Sequence, residues 1–306
     1  MSLQALRQIA MLTLLGSVVA FAGCGGSGSA PSTRNDAIAK TTTSDAAPKA
    51  PARRWTSGYP NSIAVLGHSG STGENSDPSR PGVEVRENSW ATGSNPAVRS
   101  LYGRILERNP AIKGHNVSYS EGGADIDRVG AQADGLLARE PKAELIVIQV
   151  MDSDLTCPLD RDALATFEAK LTAILRKLAR EAPNSSEFVV SQFGSVPTYA
   201  RSLTRSERAS QGGTGPCDFM TPTGGIAREK VARLERAIHA YEGALAAACK
   251  KVRSCTYDAG AFGRIVDRRD YVSSDLNHFS VKGHAKAAAV AWAAMRRAHV
   301  VPRNGP

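Results

Sequence analysis

The sequence predicts an α/β fold, a three-layer α/β/α sandwich around a central parallel five-stranded sheet. Two observations carry this expectation. Five short apolar runs, rich in Val and Ile and too short for helices, are spaced along the chain. Amphipathic stretches of helical period separate them, which is the alternation that covers a parallel sheet on both faces. With 306 residues, 42% hydrophobic and 22% charged, the chain can bury one large core and still carry appendages.

The strands are expected at 62–67 (SIAVLG), 116–119 (NVSY), 144–150 (ELIVIQV), 187–193 (EFVVSQF) and 255–259 (CTYDA). Helices are expected at about 96–108, 125–139, 160–181, 225–252 and 280–299. In the last of these, Ala287, Val290 and Ala294 form one apolar face, and Trp292 and Met295 read as core. Ligands of parallel sheets bind outside the carboxyl ends of the strands, so the residues after each strand are the candidates for chemistry.

The N-terminus has its own logic. Residues 1–23 run from Arg7 through an apolar stretch, Ala10 to Ala22, into small residues, the layout of a secretory signal. The sequence Phe21-Ala22-Gly23-Cys24 resembles a bacterial lipoprotein signal, which implies diacylation of Cys24 and stable anchoring by two chains; simple secretion is the alternative. Residues 24–58, rich in Gly, Ser, Thr, Ala and Pro, are expected to form a disordered tether. Export leaves Cys157, Cys217, Cys249 and Cys255 for two disulfides. Of the three pairings, Cys249 with Cys255 closes a short loop and Cys157 with Cys217 joins two long ones, and this is the expected set. The cysteines lack zinc spacing, and neither a metal nor an organic cofactor is expected. A net charge of +9 suits a solvated surface or attraction to anionic envelope components. Basic residues without interleaved aromatics argue against nucleic acid as a partner.

Three strand ends offer Gly67-His68-Ser69-Gly70, Glu121-Gly122-Gly123-Ala124 and Met151-Asp152-Ser153-Asp154. Near the C-terminus, Asp275 precedes His278 by three residues, a spacing that lets a carboxylate fix the imidazole tautomer. With Ser69, these supply a nucleophile, a base and an orienting acid. His68 is a rival base, but on an extended turn its ring is expected to face away from the Ser69 hydroxyl. Asp152 and Asp154 read as loop-capping groups, with a carboxylate pair or a cation site as the alternative. Gly-His-Ser-Gly also resembles the start of an α/β-hydrolase elbow, G-x-S-x-G. Against that reading, the fifth position is Ser71, the turn follows the first strand, and the acid and base share one segment.

These blocks, in this order, resemble the SGNH family of GDSL esterases and lipases across residues 59–302, which implies a flavodoxin-like SGNH hydrolase fold. The resemblance implies Ser69 as nucleophile, Asp275 and His278 as the D-x-x-H pair, and an oxyanion hole of the Ser69 and Gly123 backbone N–H groups and the side chain of Ser153. His68 and Ser153 depart from the family's Asp and Asn; a lost oxyanion donor costs about 3 to 4 kcal/mol in the transition state. The stretch ENSWATG (87–93) is similar to one in a subset of secreted members and has no assigned role. The expectation is a monomeric serine esterase, acting on a lipid, lysophospholipid or acetylated polysaccharide, held at the cell envelope through Cys24 or secreted. The alternative is a non-catalytic or weakly active envelope lipoprotein that keeps the fold as a binding module.

Overall fold

The computed structural model describes residues 55–303. The expected signal segment 1–23, Cys24 and the expected tether up to residue 54 lie outside the described residues. Trp55, within the expected tether, and Tyr59 are buried, and Tyr59 stacks on Trp292 at 6.2 Å.

Five strands form one parallel sheet: β1 (Ile63–Gly67), β2 (Asn116–Ser118), β3 (Leu145–Gln149), β4 (Ser186–Val189) and β5 (Cys255–Tyr257), in the order β2-β1-β3-β4-β5. Alternation along each strand feeds two cores. Ile63, Val65, Leu145, Val147 and Phe188 face one side, where α1 (Leu101–Leu106) and α7 (Val281–Arg297) cover them. Ala64, Leu66, Ile146, Ile148 and Val189 face the other, under α2 (Ile126–Arg139), α3 (Arg161–Glu181) and α6 (Arg228–Lys250). Each fully buried Leu or Ile contributes about 2 kcal/mol, so both faces of the sheet are strongly committed to their register. This is the three-layer sandwich expected from the sequence. The chain reverses its direction of travel across the sheet between β1 and β3, so the crevice of the fold opens at their carboxyl ends.

Local chemistry sets the helix ends. The first helix is shorter than the expected 96–108 because Arg99 takes a positive φ of 51° and Ser100 then caps α1, its hydroxyl accepting the Gly103 N–H at 3.0 Å. Two short helices, α4 (Val196–Ser202) and α5 (Arg205–Ser210), were not anticipated. Both begin with capping boxes, Ser195 with Thr198 and Thr204 with Glu207, and they are too short to show a period. The disulfides pair Cys157 with Cys217 and Cys249 with Cys255, each with 5.1 Å between Cα atoms. Two disulfides suit an oxidising, extracytoplasmic compartment. Among the described residues, no helix is long and apolar enough to cross a membrane.

The last residue of β1 is held from both sides. Gly67 has φ 145°, and a β-carbon there would stand 2.0 Å from the Gln149 carbonyl oxygen. From α2, buried Gln132 accepts the Gly67 N–H at 2.7 Å and donates to the Gly67 carbonyl at 3.0 Å. Gly67→Ala is therefore expected to destabilise the protein by about 3 kcal/mol or more, read as a lower urea midpoint. Gly243→Ala, inside α6 with open space around the added carbon, is expected to stabilise by up to about 1 kcal/mol in the same assay.

Candidate active site

Immediately after β1 the chain enters a single 3-10 turn, Ser69–Ser71, capped by His68. The His68 Nδ1 accepts the Gly70 N–H at 3.1 Å, which leaves the proton on Nε2. His68 itself is extended and the 3-10 turn begins at Ser69; both residues line the same cavity, with the His68 ring bonded to the turn's backbone and not to the Ser69 hydroxyl. Burial pushes the His68 imidazole down; Asp152 opposes this shift and His278 adds to it.

The C-terminal segment is a loop closed on itself. Val272 bridges to Phe279, and the Ser273 N–H donates to the His278 carbonyl at 2.8 Å. The loop presents Asp275 and His278 just ahead of α7, whose cap Ser280 accepts the Gly283 N–H at 3.2 Å. His278 Nδ1 lies 2.6 Å from Asp275 Oδ2. The carboxylate also accepts from the backbone N–H groups of Asn277 and His278, each at 3.0 Å, from the Ser273 hydroxyl, and from Asn75 Nδ2 at 2.6 Å. Burial alone would raise the Asp275 carboxyl, but these donors outweigh it and hold the group well below the usual range. An ionised Asp275 requires the proton on Nδ1 and leaves the Nε2 lone pair of His278 free to accept. Burial lowers the His278 imidazole, yet Asp275, then Glu74 and Asp152, raise it to a net value above 6.5.

Ser69 and His278 line one cavity of about 500 Å³. Its walls include Gln149 at the end of β3 and Asp152 after it, Gln192 and Phe193 after β4, and residues of α4 and α6. The Ser69 hydroxyl has no hydrogen-bond partner among the described residues, and His278 Nε2 faces Glu74 Oε2 at 3.5 Å. Gly123, with φ 70°, and Ser153, which is exposed, are not part of the cavity lining. At the end of β3 it is Asp152 that faces the cavity, accepting from Gln192 Nε2 at 3.3 Å. Asp154 points elsewhere: its Oδ1 accepts the Ile126 N–H at 3.0 Å at the start of α2, and burial lifts its carboxyl to about 6. The two carboxylates therefore diverge, and no group of three or more His, Cys, Asp or Glu suited to a metal occurs among the described residues.

Sequence reasoning missed Glu74, Asn75, Ser273 and Gln149. Only Ser273 carried a local signal, two residues before an Asp on a turn. Asn75 reaches Asp275 across 200 positions, which no local pattern encodes.

No protein-family model matches the chain, and neither does any curated protein. Similar solved structures include that of TesA, 14% identical, covering 78% of this chain and 99% of its own, with a TM-score of 0.47. The psychrotrophic esterase EstA from Pseudoalteromonas sp. is 12% identical, covering 78% and 97%, with a TM-score of 0.44. Axe2, an acetylxylan esterase from Geobacillus stearothermophilus, is 14% identical, covering 78% and 93%, with a TM-score of 0.45. Overlap of this extent leaves the assignment of chemistry to the residues themselves.

The imidazoles should titrate separately. By NMR, His278 is expected above 6.5 and His68 below it, while His284, buried with both ring nitrogens unpartnered, is expected near about 3. Asp275→Asn is expected to bring His278 down. Because folded His284 refuses a proton that the unfolded chain accepts, its contribution to stability is present above 6.5 and is lost as pH falls toward about 3. Urea midpoints across that window should decline less steeply in His284→Leu.

Proposed function

We propose that this protein is a serine ester hydrolase of the SGNH type. The observation that carries the reading is the Asp275–His278 pair, whose Nε2 makes no hydrogen bond and lies 3.5 Å from Glu74 Oε2, opening on the same cavity as an unbonded Ser69 hydroxyl. In the reaction the Ser69 Oγ bonds to the ester carbonyl carbon while His278 Nε2 takes the hydroxyl proton. The alkoxide leaves with that proton as the ester C–O bond breaks. Water, deprotonated in turn by His278, then releases the acid and restores Ser69. Asp275 stays ionised throughout and, with Asp152 and Glu74, stabilises the imidazolium. Asn75 turns Asp275 toward the ring. Before Ser69 can use Nε2, Glu74 must yield its place beside it.

The cavity favours an acyl group of several carbons over acetate. Phe193, Val196, Phe219, Met220, Leu234 and Phe279 give it an apolar wall, and such surface binds chain in proportion to area covered. Lipid and lysophospholipid esters fit that wall; an acetyl group would leave it empty. Attachment to a membrane through a lipidated Cys24 and a monomeric state belong to the same proposal, and the basic surface suits anionic lipid.

A second reading, a binding module of the same fold, is favoured by one observation: His278 Nε2 faces Glu74 and not Ser69. A fluorophosphonate probe separates the two. Labelling of Ser69, abolished in Ser69→Ala and in His278→Ala, is expected, and an unlabelled wild-type chain refutes the hydrolase. Both variants should lose about 1,000-fold or more in kcat on p-nitrophenyl butyrate. Since protonated His278 cannot accept, kcat/KM should rise with pH through a limb centred above 6.5, and Asp275→Asn should lose rate as that limb moves down. Across p-nitrophenyl acetate, butyrate, octanoate and palmitate, kcat/KM should be lowest for acetate. Cys24→Ser is expected to release the full chain from membranes, and unchanged retention would exclude the anchor.

A further inference from the structure

Trp90 lies in the ENSWATG stretch, for which the triad gives no role. It is fully buried and packs edge-on against Phe262, with ring centroids 5.1 Å apart. Its indole N–H donates to Gln149 Oε1 at 3.0 Å. An indole nitrogen only donates, so the amide oxygen of Gln149 must face Trp90, and the NH2 group must face away from it. On that side lies Gly70, where an added β-carbon would stand 2.7 Å from Gln149 Nε2. Gln149 is 4% exposed and lines the cavity beside Ser69. Its Nε2 has no protein acceptor among the described residues, and neither has the Ser69 backbone N–H. The free NH2 group is not sealed from the cavity, so it can donate to a group that enters there.

The geometry points to Gln149 as a side-chain donor of the oxyanion hole, with Trp90 as its positioning residue; this rests on the serine ester hydrolase reading above. When the Ser69 Oγ–carbon bond forms, the carbonyl π pair moves onto oxygen. That oxygen accepts hydrogen bonds from the Ser69 N–H and from Gln149 Nε2–H. No proton is transferred to it. When the tetrahedral intermediate collapses, the pair returns to the carbonyl and the alkoxide departs with the proton held by His278. The two donors share one place because β1 and β3 are in register at Gly67 and Gln149, which sets the amide against the turn that carries Ser69. Ser153 is exposed and does not line the cavity, and in the proposed site Gln149 takes the side-chain role that the resemblance gives to position 153. Preorganised donors of this kind act on the charge that develops in the transition state, and losing one lowers kcat about 100-fold.

The test uses the full chain with p-nitrophenyl butyrate and the fluorophosphonate probe. Gln149→Ala and the near-isosteric Gln149→Met are expected to lower kcat about 100-fold with KM within about 2-fold of wild type. Trp90→Phe keeps a ring in the core but frees the amide to turn over, and is expected to lower kcat about 10-fold, again with KM nearly unchanged. Thermal melts confirm that each variant is folded; should either Gln149 variant unfold, the kcat-against-KM split of Trp90→Phe carries the test. A folded Gln149→Met with kcat within 3-fold of wild type overturns the proposal while leaving the hydrolase intact. A wild-type chain that neither turns over ester nor takes the probe overturns the hydrolase reading itself, so the two failures are distinct.

Discussion

The structure turns on the contact between Gly67 and Gln149. Parallel pairing of β1 with β3 places these residues side by side, and the absence of a side chain at 67 lets the strand end close against the Gln149 carbonyl. The His68 N–H donates to that same carbonyl at 3.2 Å, so the turn bearing Ser69 starts from a fixed point. Gln132 clamps Gly67 from the opposite face through both of its polar atoms. A buried residue bonded through N–H, C=O and its missing β-carbon has little freedom, and whatever follows it inherits that precision. The candidate nucleophile is two residues away.

A second constraint acts through charge. Asp275 is surrounded by donors from its own loop and from distant Asn75, so it remains ionised despite partial burial. The cost of burying a carboxylate is offset only when its lone pairs are filled, and here the arrangement also fixes the ring of His278. His284, one turn into α7, packs edge-on to Phe279 at 5.3 Å and is kept neutral by burial. Two imidazoles six positions apart thus hold opposite tendencies, one drawn toward the charged form by carboxylates and the other held from it by apolar surroundings.

The wall of the cavity comes from the chain between β4 and α6, where the regular alternation of strand and helix is interrupted. Val196, Ala200, Leu203, Phe219, Met220, Val231 and Leu234 form a small core of their own. The Cys157–Cys217 bond ties this segment to the loop after β3, and Asp267 accepts the Ser195 N–H at 3.2 Å at the start of α4. The insert is thereby fastened beside the cavity that Ser69 and His278 line.

By itself the sequence determined what depends on local pattern. Apolar runs and helical periods located all five strands and the long helices, because burial on two faces writes a strong signal into neighbouring residues. The Asp275-x-x-His278 spacing was legible for the same reason, since both residues sit on one turn. The cysteine count limited the disulfides to three pairings and loop lengths favoured the set that formed. Only the tertiary structure decided which residues after each strand face the cavity. That Asp152 and not Ser153 lines the cavity depends on how the loop leaves β3, where Met151 takes a φ of 121°, and the His68 ring is held by the Gly70 N–H of the 3-10 turn that follows it. The short capped helices α4 and α5 fell below the length at which a period can be read. Glu74, Asn75, Trp90 and Gln149 carry no local signal, because their partners lie between 59 and 204 positions away and come into contact only when the sheet closes.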